Sequence, residues 1–184
     1  MIDPSILPIP PFETESDLWE AALNCLLDLR KFRGQCFYRP DHEAADSLIK
    51  TFCLKLRECP RWLSLPRIQR DCHLHDAGVI VICQVLATHW QMPRMPTTLQ
   101  QIGVLAYGFQ PPALERFRMD VYREGPVGKF LQIEQRHQYT IAHPSVLLLS
   151  LIRRDPIPSA LNQVIQSLPT TPDSRDHQHR RKRK

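Results

Sequence analysis

Glycine is scarce in this sequence, and the few glycines that occur are scattered. The 184 residues include only six glycines, and neither GxxxxGK[ST] nor GxGxxG is present. Because glycine-rich loops let the backbone approach a phosphate closely, their lack argues against P-loop and dinucleotide-binding enzymes. Paired carboxylates anchored by a strand or a glycine are missing as well. We therefore expect a protein that is not an enzyme.

Long apolar runs and paired cysteines are also missing. No apolar run approaches the length of about 18 residues that a membrane helix needs, so no membrane partner is expected. Met1–Pro11 lacks the basic start and the apolar stretch of a secretory signal. The six cysteines form no CxxC pair, which favours free thiols in a reducing compartment.

One short segment carries several atoms that can bind a metal, in Cys72, His73, His75 and Cys83. Cys72 and His75 have one spacing typical of structural zinc sites, but Cys83 lies eight residues further on inside an apolar run. Helix-start histidines and a core cysteine explain this segment better, so we expect no metal and no cofactor. Cys59 or Cys72 beside a histidine would suit a nucleophilic enzyme, but nothing nearby marks an activated thiol.

Most of the net positive charge lies at the end of the chain. The formal charge is +5, and Asp173–Lys184, with six bases and two acids, accounts for +4 of it. A basic tail of this kind attracts polyanions or fits the acidic groove of an import receptor, although it also suits a solubilising terminus. We expect a nuclear protein if the source is eukaryotic or viral, and otherwise a cytoplasmic one. The candidate nucleic-acid contacts in the tail are Arg180, Arg181, Lys182, Arg183 and Lys184.

Apolar periodicity predicts a mainly α fold, a helical bundle with a short β-hairpin. Residues 1–13 are proline-rich, 14–168 form one mostly helical domain, and 169–184 read as a disordered tail. Asp71–Trp90 contains an apolar run that could form a helix or a strand. The length of the run and the spacing of the polar residues in it favour a helix. Arg61–Pro66 is expected to be irregular, with Trp62 and Leu63 over the core. The other predicted helices are Leu18–Phe32 after a capping box at Thr14, His42–Cys59, Pro144–Arg154 and Ser159–Leu168.

Met95–His143 has the most distinctive order of predicted elements. A helix capped by Thr97 or Thr98 ends at Gly108, and Gly103 inside it favours close approach of another backbone. A second helix starts at Pro111-Pro112, where proline is well tolerated. Two strands follow, Lys129–Glu134 and Gln138–Ile141, joined by Gln135-Arg136-His137.

This order resembles a winged helix-turn-helix, a small nucleic-acid-binding module, with residues 71–143 as the winged-helix-like part. The resemblance implies that the second helix reads a major groove and that the hairpin contacts phosphate or the minor groove. A solvated helix face is the alternative, because Glu115, Asp120 and Glu124 balance the three arginines of that segment. The implied contacts are Arg116, Arg118 and Arg123 in the second helix, with Lys129 and Arg136 in the hairpin.

Two functions therefore follow from the sequence. The first is a DNA-binding regulatory or accessory protein that uses this module together with the basic tail. The second is a protein–protein interaction module, such as a viral accessory or adaptor protein. The helix Leu18–Phe32 supports the second function, because Trp19, Leu23 and Leu27 widen its apolar stripe. That wide stripe suits either burial in the core or a second face for a partner.

Overall fold

The computed structural model describes residues 12–34, 40–60, 62–90, 98–122 and 125–153 of the chain. Within these ranges the protein is mainly helical, with one two-stranded antiparallel sheet, as the sequence predicts. The predicted helix Ser159–Leu168, the N-terminal residues 1–11 and the basic tail lie outside the described residues. The elements are α1 Glu15–Leu29, α2 His42–Glu58, α3 Ser64–Asp71, α4 Asp76–His89, α5 Leu99–Tyr107, α6 Pro111–Val121, β1 Leu131–Arg136, β2 Tyr139–Pro144 and α7 Val146–Arg153.

Helix α4 is the centre of the fold. All ten residues from Gly78 to Ala87 are buried, and α1, α2, α5 and β2 pack around them. A helix that is apolar on every side must be enclosed in this way, and its length exceeds that of an ordinary buried strand. Its first turn is closed by His75, whose Nδ1 accepts a hydrogen bond from the Gly78 amide at 3.1 Å. The prediction of a buried central helix is therefore confirmed.

The ends of the other helices follow local capping chemistry. The Thr14 hydroxyl accepts from the Asp17 amide at the start of α1, and the Thr98 hydroxyl accepts from the Gln101 amide at the start of α5. Gly108 ends α5 with φ of +94°, in the left-handed region that favours glycine. These predicted starts and stops are confirmed.

Arg61–Pro66 was expected to be irregular, and that prediction is wrong from Ser64 onward. Ser64 begins α3, and its amide and hydroxyl both donate to the carboxylate of Glu15 on α1, at 2.6 and 2.8 Å. The cap of α3 thus comes from a residue 49 positions away. Leu63 is buried as expected, but Trp62 lies at the surface rather than over the core.

The hairpin exists but is displaced along the chain. Arg136 pairs with Tyr139, so the turn is His137-Gln138, and His137 has a φ of +41°. The first strand begins at Leu131, because Gly128–Phe130 forms a short 3-10 turn against the end of α6. Lys129 therefore precedes the sheet, whereas it was predicted to open the first strand. A single bridge joins Thr98, just before α5, to Ile141 of β2.

A buried arginine joins three elements at the end of α1. Arg33 lies in the π-helical turn Arg30–Gly34 and is only 1% exposed. Its guanidinium donates to the Leu105 carbonyl of α5 at 2.8 Å and pairs with the Asp46 carboxylate of α2. Burial lowers the pKa of Arg33, and the adjacent Asp46 opposes that shift. The contacts fix the end of α1 against α2 and α5.

Helix α1 uses one apolar face for the core and leaves part of a second face accessible. Leu18, Ala22, Cys25, Leu26 and Leu29 are buried. On the other side Leu27 is 45% exposed, and Trp19 meets Trp90 edge to face with ring centres 4.8 Å apart. None of the described helices has both the length and the apolar character that a membrane span requires.

Candidate nucleic-acid interface

Helix α6 presents a long exposed surface between two depressions. Phe117 and Val121 face the core, while Pro112, Glu115 and Met119 form the outermost ridge. Arg116 and Arg118 lie about 200° apart around the helix axis, so they flank this ridge on opposite sides. The two predicted contacts are both exposed but do not share one face of α6.

Close packing with α5 fixes the position of α6. A Cβ built on Gly103 would lie 2.7 Å from Cε1 of Phe117, much closer than real side chains approach. The lack of a side chain at this position therefore lets the Phe117 ring sit directly on the backbone of α5. The sequence predicted the close approach of another backbone at Gly103, whereas the group that approaches is the Phe117 side chain of α6.

Arg116 borders a cleft of about 740 Å³ between α2, α4, α5 and α6. Lys50 of α2 lines the same cleft, and no carboxylate of the described residues lies within ion-pair distance of Arg116 or Lys50. Arg57 also lines it but pairs with Asp76 at the start of α4. This cleft thus holds two cations outside ion pairs, Arg116 of α6 and Lys50 of α2, beside the carboxylates Asp46 and Asp76, which pair with Arg33 and Arg57.

Arg118 borders a second depression, a groove of about 430 Å³ between α5, α6 and the hairpin. Its guanidinium lies 3.7 Å from Glu115, and both side chains are largely exposed. An exposed pair at this distance contributes little free energy, so Arg118 remains free to exchange Glu115 for a phosphate. The groove is lined by Thr98, Leu99, Gln100, Gln101, Leu114, Phe117, Arg118, Tyr122, Gln138, Tyr139 and Thr140.

The two predicted hairpin contacts differ from the arginines of α6. The Lys129 ammonium is buried, has no hydrogen-bond partner among the described residues, and lies 5.1 Å from the centre of the Phe130 ring. Burial lowers its pKa. Arg136 is exposed at the tip of the hairpin, where it pairs with Glu134 at 2.7 Å. Arg123 and the predicted contacts Arg180, Arg181, Lys182, Arg183 and Lys184 lie outside the described residues.

A polar cluster that sequence reasoning missed ties α6 to the core. Asp120 of α6 accepts two hydrogen bonds, one from Nε2 of His75 at 2.7 Å and one from the Tyr107 hydroxyl at 2.8 Å. Because Nδ1 of His75 accepts from Gly78, the imidazole proton lies on Nε2. Burial, followed by the Asp120 hydrogen bond, raises the pKa of Tyr107. Both ring nitrogens of His75 are occupied, so the cluster positions helices and offers no free base.

The segment with metal-capable atoms is dispersed by the fold. Cys72 and Cys83 are buried, His73 is exposed, and His75 is engaged with Asp120. Over the residues that the structure describes, no three such side chains are arranged to hold a metal ion. Burial raises the pKa of Cys72 to about 11 and that of Cys25 to about 12, so both thiols are protonated at neutral pH.

Comparison of the chain with family models, with curated proteins and with solved structures finds no match.

Proposed function

We propose that the protein is a non-enzymatic DNA-binding regulatory or accessory protein that docks α6 and the hairpin on a duplex. The observation that carries this proposal is the position of Arg116 and Arg118, one on each flank of an exposed helix ridge. A helix lying in a major groove has a phosphate backbone on either side. Cations on both flanks therefore suit phosphate contacts to the two strands.

The order and contacts of the elements support a winged helix-turn-helix arrangement. Helices α4, α5 and α6 are followed by the β1–β2 hairpin, and α5 packs on both α6 and β2. The bridge between Thr98 and Ile141 attaches the hairpin beside the start of α5. Close contact at Gly103 and the Asp120 cluster hold α6 firmly against the body. A rigid support of this kind suits a helix that must fit a groove of fixed width.

Within the described residues, the proposal assigns the phosphate contacts mainly to Arg116 and Arg118. The ammonium of Lys129 is buried, so it reaches phosphate only if the start of the hairpin rearranges. Arg136 is exposed and exchanges Glu134 for a phosphate at small cost. The basic tail and Arg123 add sequence-independent affinity, and the tail also serves as a nuclear address in a eukaryotic or viral setting.

Salt dependence tests the proposal. Binding of a fluorescent duplex to the full chain is measured by anisotropy between about 50 and 200 mM salt. If the five tail cations neutralise about four phosphates, they contribute about −4 to the log–log slope. Deleting Arg175–Lys184 should remove this part of the slope, and the rest of the chain should still bind the duplex with measurable affinity.

The variant Arg116→Ala/Arg118→Ala isolates the contribution of α6. We expect weaker binding at every salt concentration and a slope that is shallower by about 2, since each lost phosphate contact removes about 1. Lys31→Ala/Arg153→Ala removes the same charge at exposed sites, one in the π-helical turn after α1 and one on α7, and serves as the matched control. An equal loss in the two double variants, or no duplex binding at low salt, would contradict the proposal.

The accessible face of α1 supports a second candidate, a protein–protein interaction module. Leu27 and Trp90 are each 45% exposed, and Trp19 packs against the core and meets the Trp90 ring edge to face. Deletion of Arg175–Lys184 separates the candidates. Complete loss of duplex binding, with a protein partner still retained through α1, would favour the interaction module over the DNA-binding protein.

A further inference from the structure

Two exposed tyrosines border the groove between α5, α6 and the hairpin. Tyr122 directly follows α6 and is 42% exposed, and Tyr139 opens β2 and is 60% exposed. Both side chains line the same depression of about 430 Å³. Its size falls within the range of about 300–1,000 Å³ found for ligand sites. The groove therefore offers aromatic surface from two different elements to one ligand.

The polar groups of the groove indicate what kind of ligand fits. Arg118 supplies a cation, three glutamines supply carboxamides, and no carboxylate is among the lining residues. Carboxamides pair a donor with an acceptor, as the edges of nucleobases do. A flat ring with a polar edge and an attached negative charge would match the tyrosine rings, the carboxamides and the Arg118 cation. The groove-lining glutamines are Gln100, Gln101 and Gln138.

We propose that this groove binds an unpaired nucleobase, with Tyr122 and Tyr139 as stacking surfaces and Arg118 at the attached phosphate. Bases inside an intact duplex are stacked on each other and do not present their faces, so stacking on tyrosine requires a base that has left the duplex. The protein then prefers nucleic acid with exposed bases to an uninterrupted duplex. This inference rests on the proposed function and names the class of nucleic acid that the same surface selects.

The test compares three labelled oligonucleotides with the full chain at one salt concentration. They are a short duplex, the same duplex with one bulged nucleotide, and one of its strands alone. We expect the bulged duplex and the single strand to bind at least about fivefold more tightly than the intact duplex.

Substitutions at the two tyrosines assign the preference to the groove. Tyr122→Ala and Tyr139→Ala should each lower the ratio of bulged to intact affinity by about fivefold or more, because a stacking partner is lost. Tyr122→Phe and Tyr139→Phe keep the ring and should keep the ratio. Trp62→Ala removes an exposed aromatic ring outside the groove and serves as the control. Thermal unfolding followed by circular dichroism verifies that each variant is folded.

The outcomes separate this inference from the proposed function. Equal affinity for the three oligonucleotides, or a preference that survives both alanine substitutions, overturns the inference while duplex binding stands. A ratio that falls equally in the phenylalanine variants excludes stacking and also overturns it. Binding to none of the three oligonucleotides overturns the proposed function, and this inference falls with it.

Discussion

At the scale of single residues, the contact between α5 and α6 depends on one missing side chain. Gly103 faces the ring of buried Phe117, and a Cβ there would approach three of its carbons to within 2.7–2.9 Å. Glycine inside a helix costs about 1 kcal/mol relative to alanine, so here the close packing compensates for a poor helix former.

Gly103→Ala should therefore destabilise the protein even though alanine favours helices. We expect the free energy of unfolding to fall by about 1–3 kcal/mol, the usual cost of overpacking a tight core. Urea unfolding at neutral pH measures the loss. An alanine variant as stable as the parent would show that the Phe117 ring has room to move.

Phe117→Leu provides the matched partner for a double-mutant cycle. Alone it leaves a cavity and is destabilising, but it also makes space for a methyl group at position 103. The double variant should lose less than the sum of the two single losses, by about 0.5 kcal/mol or more. Strict additivity would contradict direct contact between the two positions.

At the scale of elements, Asp120 connects three helices. Its carboxylate accepts hydrogen bonds from Nε2–H of His75 and from the Tyr107 hydroxyl. His75 caps α4, and Tyr107 is the last residue of α5. Since Asp120 belongs to α6, the cluster joins the proposed binding helix to the two helices behind it.

Loss of this carboxylate should cost more than loss of one of its donors. Tyr107→Phe removes the hydrogen bond to Asp120 and a longer contact of 3.5 Å with Nε2 of His75, and should lower the free energy of unfolding by about 1 kcal/mol. Asp120→Ala leaves two partly buried donors without their acceptor, so about 2–3 kcal/mol is expected. Chemical denaturation of both variants gives the comparison, and the reverse order would contradict the described cluster.

Local signals explain why most elements could be predicted and why one helix could not. Thr14 and Thr98 cap helices through their own side chains, and Gly108 ends α5 with a positive φ. Helix α3 begins after Leu63, which has no capping side chain, and takes its cap from Glu15 on α1. Such a contact depends on the tertiary structure and is invisible in a local pattern.

The sequence also predicted only part of the candidate site. Arg116 and Arg118 were found because helical spacing places them away from Phe117 and Val121. The Lys129 ammonium is buried next to the 3-10 turn that Gly128 allows against the carbonyl of Val121, and no sequence pattern indicated that burial. Arg33 was overlooked for a similar reason, because its partners Leu105 and Asp46 are distant in the chain.

At the scale of the whole molecule, several thiols are buried in the core, and they should make the protein less stable at alkaline pH. Burial raises the pKa of Cys25 and Cys72 from 9.0 to about 12 and 11, and raises those of Cys53 and Cys83 as well. The folded protein keeps these protons at a pH where the unfolded chain releases them. The stability they contribute is complete below pH 9, falls as the pH rises above 9, and is fully lost once the pH has passed the folded values.

The free energy of unfolding should accordingly fall between pH 8 and pH 10. At pH 10 each thiol accounts for about 1 kcal/mol of that fall. Cys25→Ala should be less stable than the parent at pH 8 but should lose about 1 kcal/mol less on going to pH 10. Denaturation curves at both pH values test this, and equal losses in parent and variant would count against burial of the Cys25 thiol.

The proline pair at the start of α6 has a consequence for any polyanion that this helix meets. Pro111 and Pro112 carry no N–H, and the amides of Ala113 and Leu114 already donate to the Gln110 carbonyl. The first turn of α6 therefore has no free backbone N–H that could donate a hydrogen bond to a phosphate. On the proposed function, the attraction of α6 for DNA comes from its side chains alone, so removal of Arg116 and Arg118 should abolish the contribution of α6 to duplex binding, while the basic tail and the hairpin keep theirs.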